Sequence, residues 1–115
     1  LILLLQPSMY VAVFITAPDR ESGKKIARHL LERRLAACVN MTPVSSAYWW
    51  EGKIEEAEEV LLIVKTTSDK VNELVKEVKA VHPYQVPEII ALPVVAGYLD
   101  YLEWVKKETH EGGHA

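Results

Sequence analysis

Side chains that could do chemistry gather in one short, proline-containing stretch. His82, Tyr84 and Glu88 supply an imidazole, a phenol and a carboxylate within seven residues. Pro83 disfavours a helical conformation in the residue before it, and Pro87 acts in the same way, so the stretch should form a rigid loop after a helix. His82 would then lie at a helix C-terminus, where the helix dipole favours a protonated imidazole.

The same residues also have a structural interpretation. His82 could cap the last carbonyl groups of the preceding helix, and Glu88 could face water. The spacing of the residues does not separate this interpretation from a functional one. A functional site would therefore need donors from elsewhere in the chain.

Cys38 is the single cysteine and could supply a thiolate. Thiolate, imidazole and carboxylate groups suit copper or zinc, so Cys38, His82 and Glu88 would form a metal site if the fold brought them together. In a strand, Cys38 could instead be a small buried hydrophobic residue. One cysteine forms no internal disulfide, and a reducing compartment is compatible with it. We expect the other histidines to be incidental: His29, His110 and His114.

Motifs typical of several enzyme classes are missing from the sequence. It contains no GxGxxG, GxxxxGK[ST] or CxxC motif, which argues against nucleotide-dependent chemistry. The pattern also offers no serine or cysteine nucleophile with an evident base beside it. We therefore predict that the protein is not an enzyme.

Composition places the chain among ordinary globular domains. Its 115 residues fit one domain, 25% of them are charged and the formal net charge is −3, which disfavours nucleic acids and anionic membranes as partners. The apolar residues Leu1–Leu5 fall far short of the roughly 20 residues of a membrane span. We expect residues 1–8 to be a disordered lead-in or an expression remnant, 9–109 to be the folded domain and 110–115 to be a flexible tail. A cytoplasmic location is expected.

Hydrophobic periodicity indicates the elements that must position these side chains. Continuous apolar runs indicate strands, and apolar residues at i, i+3, i+4 and i+7 indicate helices. The expected elements are a strand at 10–15, a helix at 20–34 capped by Asp19, a hairpin at 36–66 that bends at Pro43 and turns at Glu51-Gly52, a helix ending at His82, a strand at 89–95 and a helix at 98–109. This order predicts a ferredoxin-like α+β sandwich, βαββαβ plus a C-terminal helix, with the first two helices on one sheet face.

Trp49 and Trp50 fall at the far end of the long hairpin. Neighbouring strand residues point to opposite faces, so at least one indole lies outside the core of a single chain. Exposed aromatic residues are typical of interfaces. We therefore expect the two tryptophans to contact a partner.

Four blocks of sequence, in order and at matching spacing, resemble the CutA divalent-cation-tolerance family. The blocks are Arg34–Asn40, Tyr48–Ile54, His82–Pro93 and Tyr101–Trp104. The resemblance implies a ferredoxin-like subunit in a tight homotrimer, built like the trimeric PII signalling proteins, with long hairpin strands joining the sheets of neighbouring subunits. Such pairing would cover the two tryptophans and remove exposed strand edges.

The resemblance also implies a site. Members of the family are linked to tolerance of copper and other divalent cations and bind copper in vitro. Cys38, His82 and Glu88 match the family pattern and are the expected metal ligands. Tyr84 and Lys65 are expected to line the same cleft.

Two functions follow from this resemblance. The first is a trimeric copper-binding protein for divalent-cation tolerance, with zinc and other divalent cations as alternatives. The second is a PII-like small-ligand sensor or protein-interaction scaffold whose metal binding is incidental. Some bacterial members carry a cysteine in the first strand where this chain has Ile15, and a copper site rich in cysteine is correspondingly less expected here.

Overall fold

The structure, a computed structural model, describes residues 9–110. The described part contains four strands, three α-helices and one 3₁₀ turn. In chain order these are β1 (Tyr10–Ala17), α1 (Arg20–Glu32), β2 (Cys38–Trp50), β3 (Lys53–Thr67), the 3₁₀ turn Ser68–Lys70, α2 (Val71–Val81), β4 (Ile89–Pro93) and α3 (Leu99–His110). The expected lead-in at 1–8, and the tail beyond residue 110, lie outside the described residues.

The four strands form one antiparallel sheet in the order β2-β3-β1-β4, and the predicted α+β class is confirmed. β1 lies inside the sheet, with Ala12 opposite Lys65 of β3 and Leu92 of β4. β2 lies at an edge of this sheet, which explains why Pro43 is tolerated within it, since an edge strand does not need every backbone N–H for pairing. Pairing continues through Pro43, which lies opposite Val60.

One face of the sheet carries the core. Alternate residues of a strand share a face, and the apolar stripe of a helix repeats every three or four residues. The buried apolar side chains of β1, β3, α1, α2 and the segment after α1 meet here: Val11, Val13, Ile15, Ala17, Ile26, Ala27, Leu30, Leu35, Ala36, Leu62, Val64, Leu74 and Val78. The prediction that α1 and α2 share one sheet face is therefore confirmed.

Local chemistry sets two helix boundaries that the sequence predicted. Oδ1 of Asp19 accepts a hydrogen bond of 2.7 Å from the backbone N–H of Ser22 and so caps α1. α2 ends before His82, whose backbone is extended with φ −80° and ψ 136°. Pro83 follows, and it disfavours helix in the residue before it.

The helix α3 packs against β3 and is fastened near its C-terminal end. Arg34 Nη1 donates a hydrogen bond of 2.9 Å to Glu108 Oε1, and His110 Nε2 lies 2.8 Å from Asp69 Oδ2. We expected His110 to be the first residue of the flexible tail, but it is the last residue of α3. Within residues 9–110, no helix is both long enough and apolar enough to cross a bilayer.

The hairpin formed by β2 and β3 extends beyond the four-stranded part of the sheet. Pairing between β3 and β1 ends at Val60, which lies opposite Ala17, and β3 residues nearer the hairpin turn pair with β2. Residues 44–59 therefore form a two-stranded extension, which we call the hairpin arm. Its turn has positive φ at both central residues, 49° at Glu51 and 80° at Gly52, as in tight hairpin turns. Most side chains of the arm are exposed.

Candidate functional site

Two hydrogen bonds hold the buried His82 in place. Its Nδ1 accepts the backbone N–H of Tyr84 at 3.0 Å, so Nε2 carries the ring proton and donates to the carbonyl oxygen of Thr16 at 2.7 Å. The imidazole therefore ties the 82–88 loop to β1. In this arrangement neither ring nitrogen has a free lone pair, which a metal ligand would need.

Tyr84 reaches a carboxylate that the sequence did not single out. Its hydroxyl donates a hydrogen bond of 2.6 Å to Oε2 of Glu59 on β3. Burial and this hydrogen bond raise the pKa of Tyr84 well above its ordinary value, so the phenol keeps its proton. Glu59 is 8% exposed, and no Lys, Arg or His of residues 9–110 forms an ion pair with it. The loop is thus fastened to β3 as well as β1.

A cleft of about 900 Å³ lies between the hairpin arm and the 82–88 loop. This volume falls within the range of small-molecule sites. The lining includes residues of β1, the arm, β3 and the loop: Thr16, Ser45–Trp50, Glu59 and Pro83–Glu88. The structure therefore brings Tyr84, Glu88 and the two tryptophans to one cleft.

Cys38 and Lys65 lie elsewhere, opposite each other on β2 and β3. The ammonium group of Lys65 hydrogen-bonds to Oδ1 of Asn40, and the Cys38 thiol lies 3.9 Å from the same oxygen. Burial, followed by the nearby Cys38, raises the pKa of Tyr101 on α3. Lys65 is not among the residues that line the cleft, so the structure places it beside Cys38 and not beside Tyr84.

The predicted metal ligands are consequently divided between two places. Cys38 lies level with Ala12 of β1, whereas His82 contacts Thr16, four residues further along the strand. Four strand residues span about 13 Å, while metal–ligand bonds are about 2.0–2.3 Å long. Within residues 9–110, no three His, Cys, Asp or Glu side chains are grouped to hold a metal ion. The three predicted ligands do not fit one copper ion in a single chain.

Two residues of this site, Glu59 and Thr16, were not predicted from the sequence. Glu59 follows several other glutamates in β3, a pattern typical of an exposed strand. Only its position could have distinguished it. Alternate residues of a strand share a face, so Glu59 lies on the same face of β3 as the half-buried Leu61 and Ile63. Thr16 contributes its backbone carbonyl to His82, and no side-chain pattern reveals such a contact.

The fold and the cleft define a small α+β protein with a four-stranded antiparallel sheet, a protruding hairpin and a ligand-sized cleft beside it. Residues 11–108 match the family model described as CutA1 divalent ion tolerance protein. The chain belongs to this family.

Curated relatives come from several kingdoms. The divalent-cation tolerance protein CutA of Archaeoglobus fulgidus is 50% identical over 97 residues, 84% of this chain and 95% of that protein. Protein CutA 1, chloroplastic, of Oryza sativa is 48% identical over 102 residues, and Protein CutA of Homo sapiens is 50% identical over 104 residues. These matches cover 88% and 90% of this chain, but only 58% of each of the two longer relatives.

Solved structures of relatives have the same fold. The periplasmic divalent cation tolerance protein CutA from Archaeoglobus fulgidus superposes with a TM-score of 0.87 at 47% identity, covering 89% of this chain and all of that one. The divalent cation tolerance protein Cut A1 from Thermus thermophilus gives 0.85 at 48% identity, covering 87% of this chain and 98% of that one. These matches agree with the α+β fold described above, and both solved relatives are named divalent cation tolerance proteins.

Proposed function

We propose that this chain acts in divalent-cation tolerance as a homotrimer that binds copper. The family match over residues 11–108 carries the proposal. Relatives from an archaeon and a bacterium are named divalent-cation tolerance proteins. Zinc or another divalent cation is the alternative to copper.

The hairpin arm supports the trimeric part of the proposal. A two-stranded ribbon is only marginally stable alone, and the arm leaves Trp49 and Trp50 71% and 41% exposed. In the described chain, β2 and β4 also form the two open edges of the sheet. We assign the connectivity to the ferredoxin-like class, and we propose that neighbouring copies pair with these edges in a closed ring.

The geometry of a single chain constrains where copper would bind. Cys38 is half-buried and Glu88 is exposed, so both side chains are accessible to a neighbouring subunit. His82 would have to release one of its two hydrogen bonds before it could bind a metal. The proposed copper site therefore takes Cys38 and Glu88 from different subunits of the assembly, with His82 joining after local rearrangement.

A calorimetric titration of copper(II) into the assembled, full-length protein tests this proposal. We expect one tight site per subunit or per interface, which Cys38→Ser and Glu88→Gln each abolish. His82→Gln tests the histidine while keeping an amide donor for the Thr16 carbonyl. Weak binding to exposed imidazoles is expected in all samples, so the comparison uses Glu103→Gln on α3 as the matched control. Curves for Cys38→Ser and Glu88→Gln that coincide with the control would rule out this copper site.

The cleft favours a second function, PII-like sensing of a small ligand with incidental metal binding. Its volume suits a small molecule, and Tyr84, Glu88 and the nearly buried Glu59 line it. A thermal-shift screen tests this function, because a compound that binds only the folded state raises its melting temperature. A genuine cleft ligand should lose its effect in Tyr84→Phe, and a screen without any such compound would refute the sensing role.

We further propose that the chain is not an enzyme and that it acts in the cytoplasm. Both nitrogens of His82 bind backbone groups, so the imidazole of the cleft region is not poised as a general base. Relatives are named periplasmic or chloroplastic, so location is tested directly by fractionating cells that express the native gene. Recovery outside the cytoplasm would refute the second part of this proposal.

A further inference from the structure

We propose that the cleft between the hairpin arm and the 82–88 loop binds a small organic cation, either a protonated amine or a quaternary ammonium compound. The inference rests on the second function proposed above, ligand sensing in this cleft, and specifies the chemical class of the ligand. Three observations carry it: the charge of the cleft, a buried carboxylate with no cationic partner among residues 9–110, and aromatic side chains in the same lining.

The cleft is lined by charge of one sign. Glu59 and Glu88 are its acidic residues, and among residues 9–110 no Lys, Arg or His lines it. The hairpin arm contains five glutamates and one lysine, a net charge of −4, whereas the whole chain carries −3. Such a field concentrates cations and repels phosphates and carboxylates. The cleft is therefore a poor site for a nucleotide or an organic acid.

Glu59 provides a specific partner for a ligand cation. Oε2 of its carboxylate accepts the Tyr84 hydroxyl, and the other oxygen, Oε1, has no hydrogen-bond partner among residues 9–110. Oε1 is not among the fully buried side-chain atoms of residues 9–110 that have no hydrogen-bond partner, so it has some solvent-accessible surface, and Glu59 lines the cleft. A mostly buried carboxylate without a counter-charge is unfavourable. A bound cation would supply the missing charge.

Aromatic residues in the lining specify an organic cation. Tyr48 and Trp50 are two residues apart on β2 and share one strand face, and both line the cleft. Tyr48 also lies close enough to Tyr84 to contribute to its raised pKa. Ammonium groups are attracted to the faces of Trp and Tyr rings within about 6 Å. An aromatic wall beside a carboxylate suits an alkylammonium group better than a hydrated metal ion.

Calorimetric titrations with three benzyl-type compounds of different charge test the inference on the full-length, assembled protein. We expect benzyltrimethylammonium to bind saturably and at least tenfold more tightly than benzyl alcohol, and benzenesulfonate not to bind. Glu59→Gln keeps an oxygen acceptor for Tyr84 but removes the charge, and it should weaken the cation at least tenfold. Glu88→Gln provides a second variant if Glu59→Gln fails to fold by circular dichroism. Glu103→Gln on α3 is the matched control and should leave affinity unchanged.

The possible results separate this inference from the sensing function itself. Benzenesulfonate binding as tightly as the cation, or unchanged affinity in both cleft variants, would overturn the cation proposal and leave a ligand site in place. No binding of any probe would overturn both and would indicate that another copy of the chain fills the cleft. Displacement of benzyltrimethylammonium by magnesium chloride, beyond a sodium chloride control of equal ionic strength, would reassign the site to metal ions.

Discussion

The two halves of β3 belong to regions that are built on different principles. From Val60 to Lys65 the strand pairs on both sides, and its alternate residues enter the core. From Lys53 to Glu59 it pairs with β2 alone, and most of its side chains are exposed. One continuous strand thus runs from the core of the sheet into an arm whose apolar side chains are largely exposed in a single chain. The core half contributes buried apolar contacts, and the arm contributes exposed apolar surface.

The largest effect is expected in the core half. Leu62 is fully buried at 0% exposure, and Leu62→Ala should lower the free energy of unfolding by about 2–5 kcal/mol, because the substitution removes apolar contacts and leaves a cavity. Guanidinium denaturation measures this loss. Val95→Ala, at a site 92% exposed, should change stability by less than about 0.5 kcal/mol. Similar losses for both variants would contradict the burial pattern.

The next effect is expected in the arm and should appear in assembly. Trp49→Ala and Trp50→Ala each remove an exposed indole, and truncating a tryptophan that is an interface hot spot costs about 2 kcal/mol or more of binding energy. We expect each variant to dissociate at concentrations where the native protein keeps the proposed trimer, as measured by sedimentation velocity. Persistent trimers of both variants at high dilution would show that the indoles are not interface anchors.

A smaller effect is expected at the tip of the arm. Within residues 9–110, no atom lies within 4 Å of a Cβ added at Gly52, yet its φ is +80°. Gly52→Ala should therefore cost about 1–2 kcal/mol through backbone strain alone. Glu51 also has a positive φ, of 49°. Glu51→Asn creates the Asn-Gly pair that such a turn favours and should raise stability. Urea denaturation of both variants tests these opposite signs, and a shift in the same direction would reject this account of the turn.

The smallest effect is expected in acid, at the C-terminal end of the core half. The Thr67 hydroxyl, followed by His110, holds the pKa of Asp69 below its ordinary value of 3.8. A lowered pKa in the folded state means that the carboxylate contributes stability above about pH 4 and loses it as the pH falls through the folded-state pKa. Asp69 is 62% exposed, so this contribution should stay below about 1 kcal/mol.

Asp69→Asn provides the comparison for this acid prediction. We expect the variant to be slightly less stable than the native protein at pH 6 and equally stable at pH 2, with stability measured by urea denaturation. A difference that persists unchanged at pH 2 would assign the effect to something other than the charge of Asp69.

The sequence predicted features that depend on local chemistry. Asp19 caps α1, Pro83 ends α2 and Glu51-Gly52 forms the turn, each because of residues within a few positions. The two-residue and helical periodicities likewise predicted the order of the elements and the shared face of α1 and α2. These features can be predicted from neighbouring residues alone, without knowledge of the tertiary contacts.

The features that could not be predicted from the sequence depend on which strand residues pair with each other. Cys38 and His82 looked like partners because both are metal-binding types, but strand pairing places Cys38 level with Ala12 and His82 at Thr16. The bond from Tyr84 to Glu59 likewise joins residues from separate elements. Such pairings depend on which strand residues lie opposite each other, which no single segment encodes.

The position of β1 inside the sheet also has a consequence for synthesis on the ribosome. Val11 pairs with Thr66 and with Pro93, both far downstream in the chain. At roughly 5–20 residues per second, the ribosome takes on the order of ten seconds to deliver the second partner after the first strand has been made. The β2–β3 hairpin can form early because its strands are adjacent in the chain. β1 is synthesised before the other strands of the sheet, but it is paired on both sides only after β4 has been synthesised. During that interval its apolar residues are exposed to chaperones and to other nascent chains.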